Sequence, residues 1–232
     1  MSMKHIFPFD SHYLKWCHSK VEPINTDILL LSGDHNVGKT CLLFQAAVSH
    51  ASEECHVTYI CPSPLSSLPA PVHGMPSPEA KVLQNLKFLY MSSTDELVEY
   101  LSELHTSPVV SQVLILDDLD YYVNQIQFQE HGSSEHSIAM LFALIKDAVV
   151  YMKSKHTAGS PCVTYISTHH TSAHQLGIYK RFTKNIWTLN GSVDEDGAPI
   201  MQCKPFSSAE PMTIHYYITE DCFRLKNICV QK

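Results

Sequence analysis

Between residues 28 and 44 an apolar run reaches a glycine, passes through four further residues to Gly-Lys-Thr, and resumes as an apolar run. Gly33-Asp34-His35-Asn36-Val37-Gly38-Lys39-Thr40 satisfies G-x-x-x-x-G-K-[ST] at each fixed position. Glycines let a backbone curl so that successive N–H groups converge on an anion, and a helix starting at Lys39 adds its N-terminal dipole. Such a loop needs a buried strand before it and a helix after it. This confines the chain to an α/β architecture with a mainly parallel sheet. Lys39 is placed to neutralise β- and γ-phosphates, and the Thr40 hydroxyl to hold Mg²⁺, so the pattern predicts ATP with Mg²⁺ as its ligands.

A phosphate loop also needs an acid at the carboxyl edge of a neighbouring strand. The run 112–120, QVLILDDLD, supplies Asp117 for the Mg²⁺ shell, with Asp118 directly after it. The 232 residues suffice for one sizeable domain. Further strands are expected at 57–61, 86–90 and 162–168. Helices are expected from Ser93 to about 105, with Glu96 completing a capping box, and from Ser134 to Lys155, where apolar residues share one face. After residue 184 only strands and turns recur, at 185–189, 199–204, 212–218 and 222–230, which predicts an antiparallel β-meander over 185–230. Residues 1–26, interrupted by Pro8 and Pro23, read as an extension before a domain at 27–232. The segment 62–78 holds six prolines, whose missing amide donors forbid a helix or a central strand.

Composition narrows the function. A net charge of −7 gives no global attraction to nucleic acid, so any such surface is a local patch. Eight cysteines without a C-x-x-C pair read as free thiols in a reducing compartment, cytosol or nucleus. No run approaches membrane-spanning length, and no membrane association is expected. An N-K-x-D guanine reader is absent, which argues against a GTPase. Two arginines in the chain, Arg181 and Arg224, argue against a small-molecule kinase, which usually closes several over its phosphates. A metabolite kinase remains a distant alternative.

The order strand, phosphate loop, helix, strand, insertion, acid-ended strand, long helix, polar-ended strand, meander resembles the RecA/Rad recombinase core. The stretches LLLSGDHNVGKTCLLFQAA, PLSSLP, LQNLKFLYMSSTDELVEYL and VLILDDLDYYV are similar to the recombinase-paralogue ATPases that pair with a SWIM-type zinc-finger protein in vertebrate Shu-like complexes. The likeness is carried by residues 28–123 and loosens beyond 160. It implies a nuclear protein assisting homologous recombination repair, with single-stranded DNA, a SWIM-type zinc-finger protein, and recombinase and its paralogues as partners.

Against that pattern the chain departs once. Recombinase ATPases carry a water-activating glutamate just after the second strand; here Cys61-Pro62-Ser63 stands there, and Asp118 is the nearby substitute. Asp118 serves only if the turn after Asp117 breaks strand alternation. His169 is the candidate γ-phosphate sensor at the end of 162–168. His170 and His174, four apart, lack a third ligand for a metal. Of the two loops that face DNA in this family, 119–134 holds Tyr121, Tyr122 and Phe128 without a basic residue. The other, 170–185, places Lys180, Arg181 and Lys184 among Tyr179 and Phe182, charges for phosphates and rings for bases; alternatively, the rings are core and the charges solvated. Phe44 to Ala47 matches the recombinase pairing motif F-x-x-A but lies in the phosphate-loop helix, where Phe44 should be core. The aromatics of 6–10, IFPFD, are expected to be exposed and to dock on a neighbour. Two readings of the whole remain open: a weak DNA-stimulated ATPase, and a nucleotide-stabilised scaffold that does not turn over.

Overall fold

The computed structural model describes residues 2–9, 27–130, 133–157, 160–169, 172–193, 199–205, 212–219 and 221–230. In chain order the elements are β1 (Ile28–Gly33), α1 (Lys39–Ser52), β2 (Val57–Cys61), α2 (Ala80–Leu83), β3 (Leu86–Tyr90), α3 (Thr94–Ser102), β4 (Val113–Leu116), α4 (Leu119–Glu130), α5 (Ser134–Lys155), β5 (Val163–Thr168), α6 (Ala173–Phe182), β6 (Asn185–Val193), β7 (Pro199–Pro205), β8 (Met212–Ile218) and β9 (Phe223–Val230).

The nine strands form one sheet in the order β3-β2-β4-β5-β1-β6-β7-β8-β9. Pairing is parallel from β3 through β6 and antiparallel from β6 to β9. The central strands are apolar at nearly every position because both faces are covered. Leu29 and Leu31 of β1 join one core, with α1, Val113 and Ile115. Ile28 and Leu30 join the other, with Leu114, Leu116 and the buried faces of α3, α4, α5 and α6. Alternate residues of one strand thus feed opposite layers, as the period of two requires.

Asp117 follows β4, Ser167 and Thr168 close β5, and the phosphate loop follows β1; β5 pairs with both β4 and β1. Parallel neighbours end at the same sheet edge, so these polar groups meet outside the carboxyl ends of the strands.

The expected meander and the helix over 134–155 are present at the expected residues. Ser93 caps α3 by accepting from the Glu96 amide, but the Glu96 carboxylate reaches back to the Ser92 amide instead of that of Ser93. The segment 62–78 forms neither helix nor strand, apart from a bridge of Val72 to Phe223.

Three expectations are corrected. The stretch 6–10 is not a row of exposed docking aromatics: Ile6 and Phe7 are fully buried beside α1, because the 3₁₀ turn Ser2–His5 folds back onto that helix. Residues 10–26 lie outside those described. The first presumed DNA loop is mostly the helix α4, and Tyr122 is core, its hydroxyl donating to the Met91 carbonyl; the Phe128 side chain is outside the described part. Tyr179 and Phe182, expected to stack on bases, instead pack on Phe142 of α5 with centroids 5.2 and 5.4 Å away. Lys180, Arg181 and Lys184 of that segment are exposed. His170 is outside the described residues.

Candidate nucleotide site

Gly33 ends β1 where it crosses the backbone of β6, and a Cβ there would lie 2.5 Å from the Leu189 carbonyl oxygen. Asn36 and Gly38 take positive φ values of 63° and 87°, which curl the loop back before α1 begins. Left-handed residues of this kind let a loop turn its amides toward an anion. Lys39 is buried, and its Nζ donates to the Gly33 and Asp34 carbonyl oxygens, each at 2.6 Å. Its pKa is lowered by burial, with Asp120, Asp117, Asp118 and Asp34 acting in the opposite direction.

Facing this loop stands an acid cluster. Asp117 is buried; its Oδ2 accepts from the Tyr59 hydroxyl at 3.0 Å and its Oδ1 from the Ser167 hydroxyl at 2.5 Å. Tyr59 is held protonated far above the usual phenol range by burial, reinforced by the Asp117 charge. Strand β4 stops at Leu116, and Asp118 adopts φ 64°, so strand alternation is broken at this point. Asp117 and Asp118 both line one cavity of about 490 Å³, together with His35, Asn36, Gly38, Lys39, Thr40, Ser167 and His169. Burial raises the Asp118 pKa; nearby Asp120 and Asp117 add to the rise, and His169 opposes it.

His169 is fixed from three sides. Its amide donates to Asp120 Oδ2 at 2.6 Å, its carbonyl accepts from the Ser32 hydroxyl at 2.9 Å, and its Nε2 stands 3.3 Å from Asp118 Oδ1. The His35 ring packs on it at 3.8 Å between centroids. Loop, acids and presumed sensor are therefore joined. Among the loop residues, Asp34 is exposed, while Val37 is buried and its carbonyl accepts from the Tyr216 hydroxyl at 3.2 Å. Lys180, Arg181 and Lys184 are not part of this cavity.

The residues suit a magnesium–nucleotide ligand. A cradle of backbone amides and a lysine meets the anion, and the Thr40 hydroxyl with Asp117 offers the hard oxygen donors that Mg²⁺ takes. The excess of carboxylates would repel phosphates alone, which favours their arrival with a cation.

Sequence reasoning missed three contributors. Tyr59 gives no motif signal. Asp120, which receives the Thr168 hydroxyl at 2.8 Å, was visible only as the last acid of DDLD. The roof of the cavity, Ile218, Thr219 and Phe223, comes from the turn between β8 and β9. Phe223 packs so closely on Gly38 that a Cβ on that glycine would lie 2.4 Å from its ring. Phe223 also bridges to the proline-rich segment, donating its amide to the Pro71 carbonyl and accepting from the His73 amide. At the usual glutamate position, Cys61 turns inward, its thiol donating to the Ser63 carbonyl at 3.3 Å, with burial raising its pKa to about 11.

No protein-family model matches the chain. It is 32% identical to the ATPase SWSAP1 of Mus musculus over 139 residues, 58% of this chain and 46% of that protein. It is likewise 32% identical to the ATPase SWSAP1 of Homo sapiens over 136 residues, 58% of this chain and 56% of that one. The chain spans about half the length of the curated relatives it matches. Among solved structures it is similar to a KaiC-like protein from Pyrococcus horikoshii OT3 (TM-score 0.58, 11% identity, 87% of this chain and 89% of that one). It is also similar to the flagellar accessory protein FlaH of Methanocaldococcus jannaschii (TM-score 0.55, 14% identity, 89% of each chain). The fold is that of the RecA-like P-loop NTPases, a mainly parallel sheet with an antiparallel C-terminal extension.

Proposed function

We propose that the chain is an ATP-binding recombinase paralogue that assists homologous recombination in the nucleus, hydrolysing ATP slowly. The observation that carries the reading is the meeting of Lys39 and Thr40 with Asp117 and Asp118 across one cavity. The similarity to proteins named ATPase SWSAP1 supports the recombination assignment.

Bound ATP would supply a transferable γ-phosphoryl group, with Mg²⁺ neutralising its charge. The backbone of residues 33–38 would cradle the phosphates, and Lys39 would contribute a buried positive charge beside them. Thr40 Oγ1 and Asp117 would hold the metal's shell, while Ser167 and Tyr59 keep the Asp117 carboxylate oriented. Asp118 Oδ1 stands as acceptor for the proton of an attacking water, and His169 as the donor that reads the γ-phosphate. Phe223 and Ile218 exclude bulk water from above. Outside the cavity, the exposed Lys180, Arg181 and Lys184 meet single-stranded DNA through phosphates alone. A SWIM-type zinc-finger protein and recombinase are the proposed protein partners.

A second reading, the scaffold that does not turn over, is favoured by Cys61 at the position where recombinases hold a carboxylate. The deciding experiment is thermal unfolding with and without Mg²⁺–ATP, followed by turnover. A ligand that binds only the native state raises the unfolding temperature by mass action. Wild type should shift and Lys39→Ala should not, while keeping its fold; no shift in wild type, alone or with the zinc-finger partner, rejects nucleotide binding.

A further inference from the structure

The end of α1 opposite the phosphate loop carries a second constellation. The His5 ring, from the N-terminal 3₁₀ turn, stacks on His50 with centroids 3.7 Å apart. His50 is 1% exposed and His5 7%. His5 Nε2 lies 3.2 Å from Glu53 Oε2, and His50 Nε2 lies 2.9 Å from the Tyr165 hydroxyl. The remaining nitrogens, Nδ1 of each ring, are buried without a hydrogen-bond partner. Buried polar atoms normally find partners, so two such atoms in adjacent rings call for an explanation.

A cation held by His50 Nδ1, the nitrogen not engaged by Tyr165, provides one for that ring. One ligand atom from each of His5, His50 and Glu53 falls within 4.8 Å of the other two. Two imidazoles and a carboxylate are a donor set that zinc takes with its fourth position open. The 3.2 Å from His5 Nε2 to Glu53 Oε2 matches the edge of about 3.3 Å of a tetrahedron with bonds of ~2.0 Å. Glu53 caps α1, where the helix dipole favours positive charge. A cavity of about 400 Å³ bordered by His5, Glu53, Ser49 and Ser52 gives a water or fourth ligand access.

We propose that His5, His50 and Glu53 bind a divalent cation of the zinc class, which ties the N-terminal turn to the end of the phosphate-loop helix. The 14-residue helix puts this site about 20 Å from the phosphate loop. It is therefore separate from the nucleotide's magnesium.

The test is titration of the full chain, freed of metal by a chelator, with Co²⁺ and then Zn²⁺. One equivalent of Co²⁺ should give a visible d–d spectrum without a thiolate charge-transfer band, displaced by Zn²⁺. Zn²⁺ should raise the unfolding temperature of the wild type. Glu53→Gln, at a half-exposed position that folding tolerates, and His5→Ala should each weaken Zn²⁺ binding at least tenfold and leave the ATP-induced shift in place. The absence of saturable Zn²⁺ binding in wild type, a thiolate band, or wild-type affinity in either variant would overturn the assignment.

Discussion

The Ser167 hydroxyl donates to Asp117 Oδ1 at 2.5 Å and accepts the Asp118 amide hydrogen at 2.8 Å. One side chain from β5 thereby orients one acid and fixes the backbone of the next. Ser167→Ala would leave a buried carboxylate oxygen and an amide without that partner, at a cost of about 1–3 kcal/mol. Chemical denaturation should show a loss of that size, and the Mg²⁺–ATP thermal shift should shrink. A variant as stable as wild type with an undiminished shift would mean that water replaces the hydroxyl without penalty.

Asp117 and Asp118 should separate in their effects. Asp117→Ala removes a proposed metal ligand and should weaken Mg²⁺–ATP binding. Asp118→Asn keeps shape and should leave binding alone while reducing turnover by a factor of about 10² to 10⁴, the usual loss for a positioned base. Measured ATPase rates decide this. A wild type working at the 1–100 per second typical of phosphoryl-transfer kinases, or an Asp118→Asn variant with unchanged turnover, would place the base elsewhere.

Gly38→Ala meets two obstacles at once. The left-handed backbone costs an alanine about 1–2 kcal/mol, and its methyl would stand 2.4 Å from the Phe223 ring. Thermal unfolding should fall by several degrees. Adding Phe223→Leu should restore only the steric share, because the φ of 87° remains. Full recovery in the double variant would show that the loop relaxes freely.

Single-stranded DNA affinity should fall linearly with the logarithm of salt concentration. Each phosphate neutralised contributes about 0.7 to that slope, so alanine at Lys180, Arg181 and Lys184 together should flatten it by up to about 2. Fluorescence anisotropy across a salt series measures it. An unchanged slope moves the DNA surface to another face or to a partner.

Thiol reactivity should divide the cysteines. Hydrogen bonds from Arg224 and then Thr219 lower the Cys222 pKa, whereas burial first and the Asp117 charge second raise that of Cys61 to about 11. Thiolate is the nucleophile, so a lowered pKa means more reactive species at a given pH. Near neutral pH, iodoacetamide should label Cys222 well before Cys61, with the Cys222 pH profile displaced to lower pH. Peptide mass spectrometry after timed quenching reads this directly; equal rates would contradict the buried placement of Cys61.

How much of this was legible without coordinates follows from the range of each interaction. The phosphate loop, the Asp117 strand and α5 are written in short windows, where spacing and period suffice. The left-handed turn at Asp118 was stated only as a condition, since DDLD does not say where β4 stops. Ile6 and Phe7 read as exposed because a short apolar pair carries no mark of the surface that will cover it; here the covering surface is α1, more than thirty residues away. Tyr121 and Tyr122 in a presumed loop misled in the same way. Aromatics serve cores and ligands alike, and only the position of Met91 and its carbonyl decides for Tyr122. Phe223 was invisible as a site residue because its approach to Gly38 joins residues 185 positions apart and carries no local signal.

That approach also sets a timetable for biogenesis. The phosphate-loop motif leaves the ribosome well ahead of the aromatic ring that closes its cavity, which is synthesised some 185 residues after Gly38. Contacts of such separation form late, and they cost loop-closure entropy before they are rewarded. A nascent chain that has emerged only through β5 would display the loop and both aspartates around an unroofed, wetter pocket. Closure of the pocket is then a property acquired only once β9 has emerged, and a nucleotide held there would select molecules folded through β9 rather than act as a template for earlier ones.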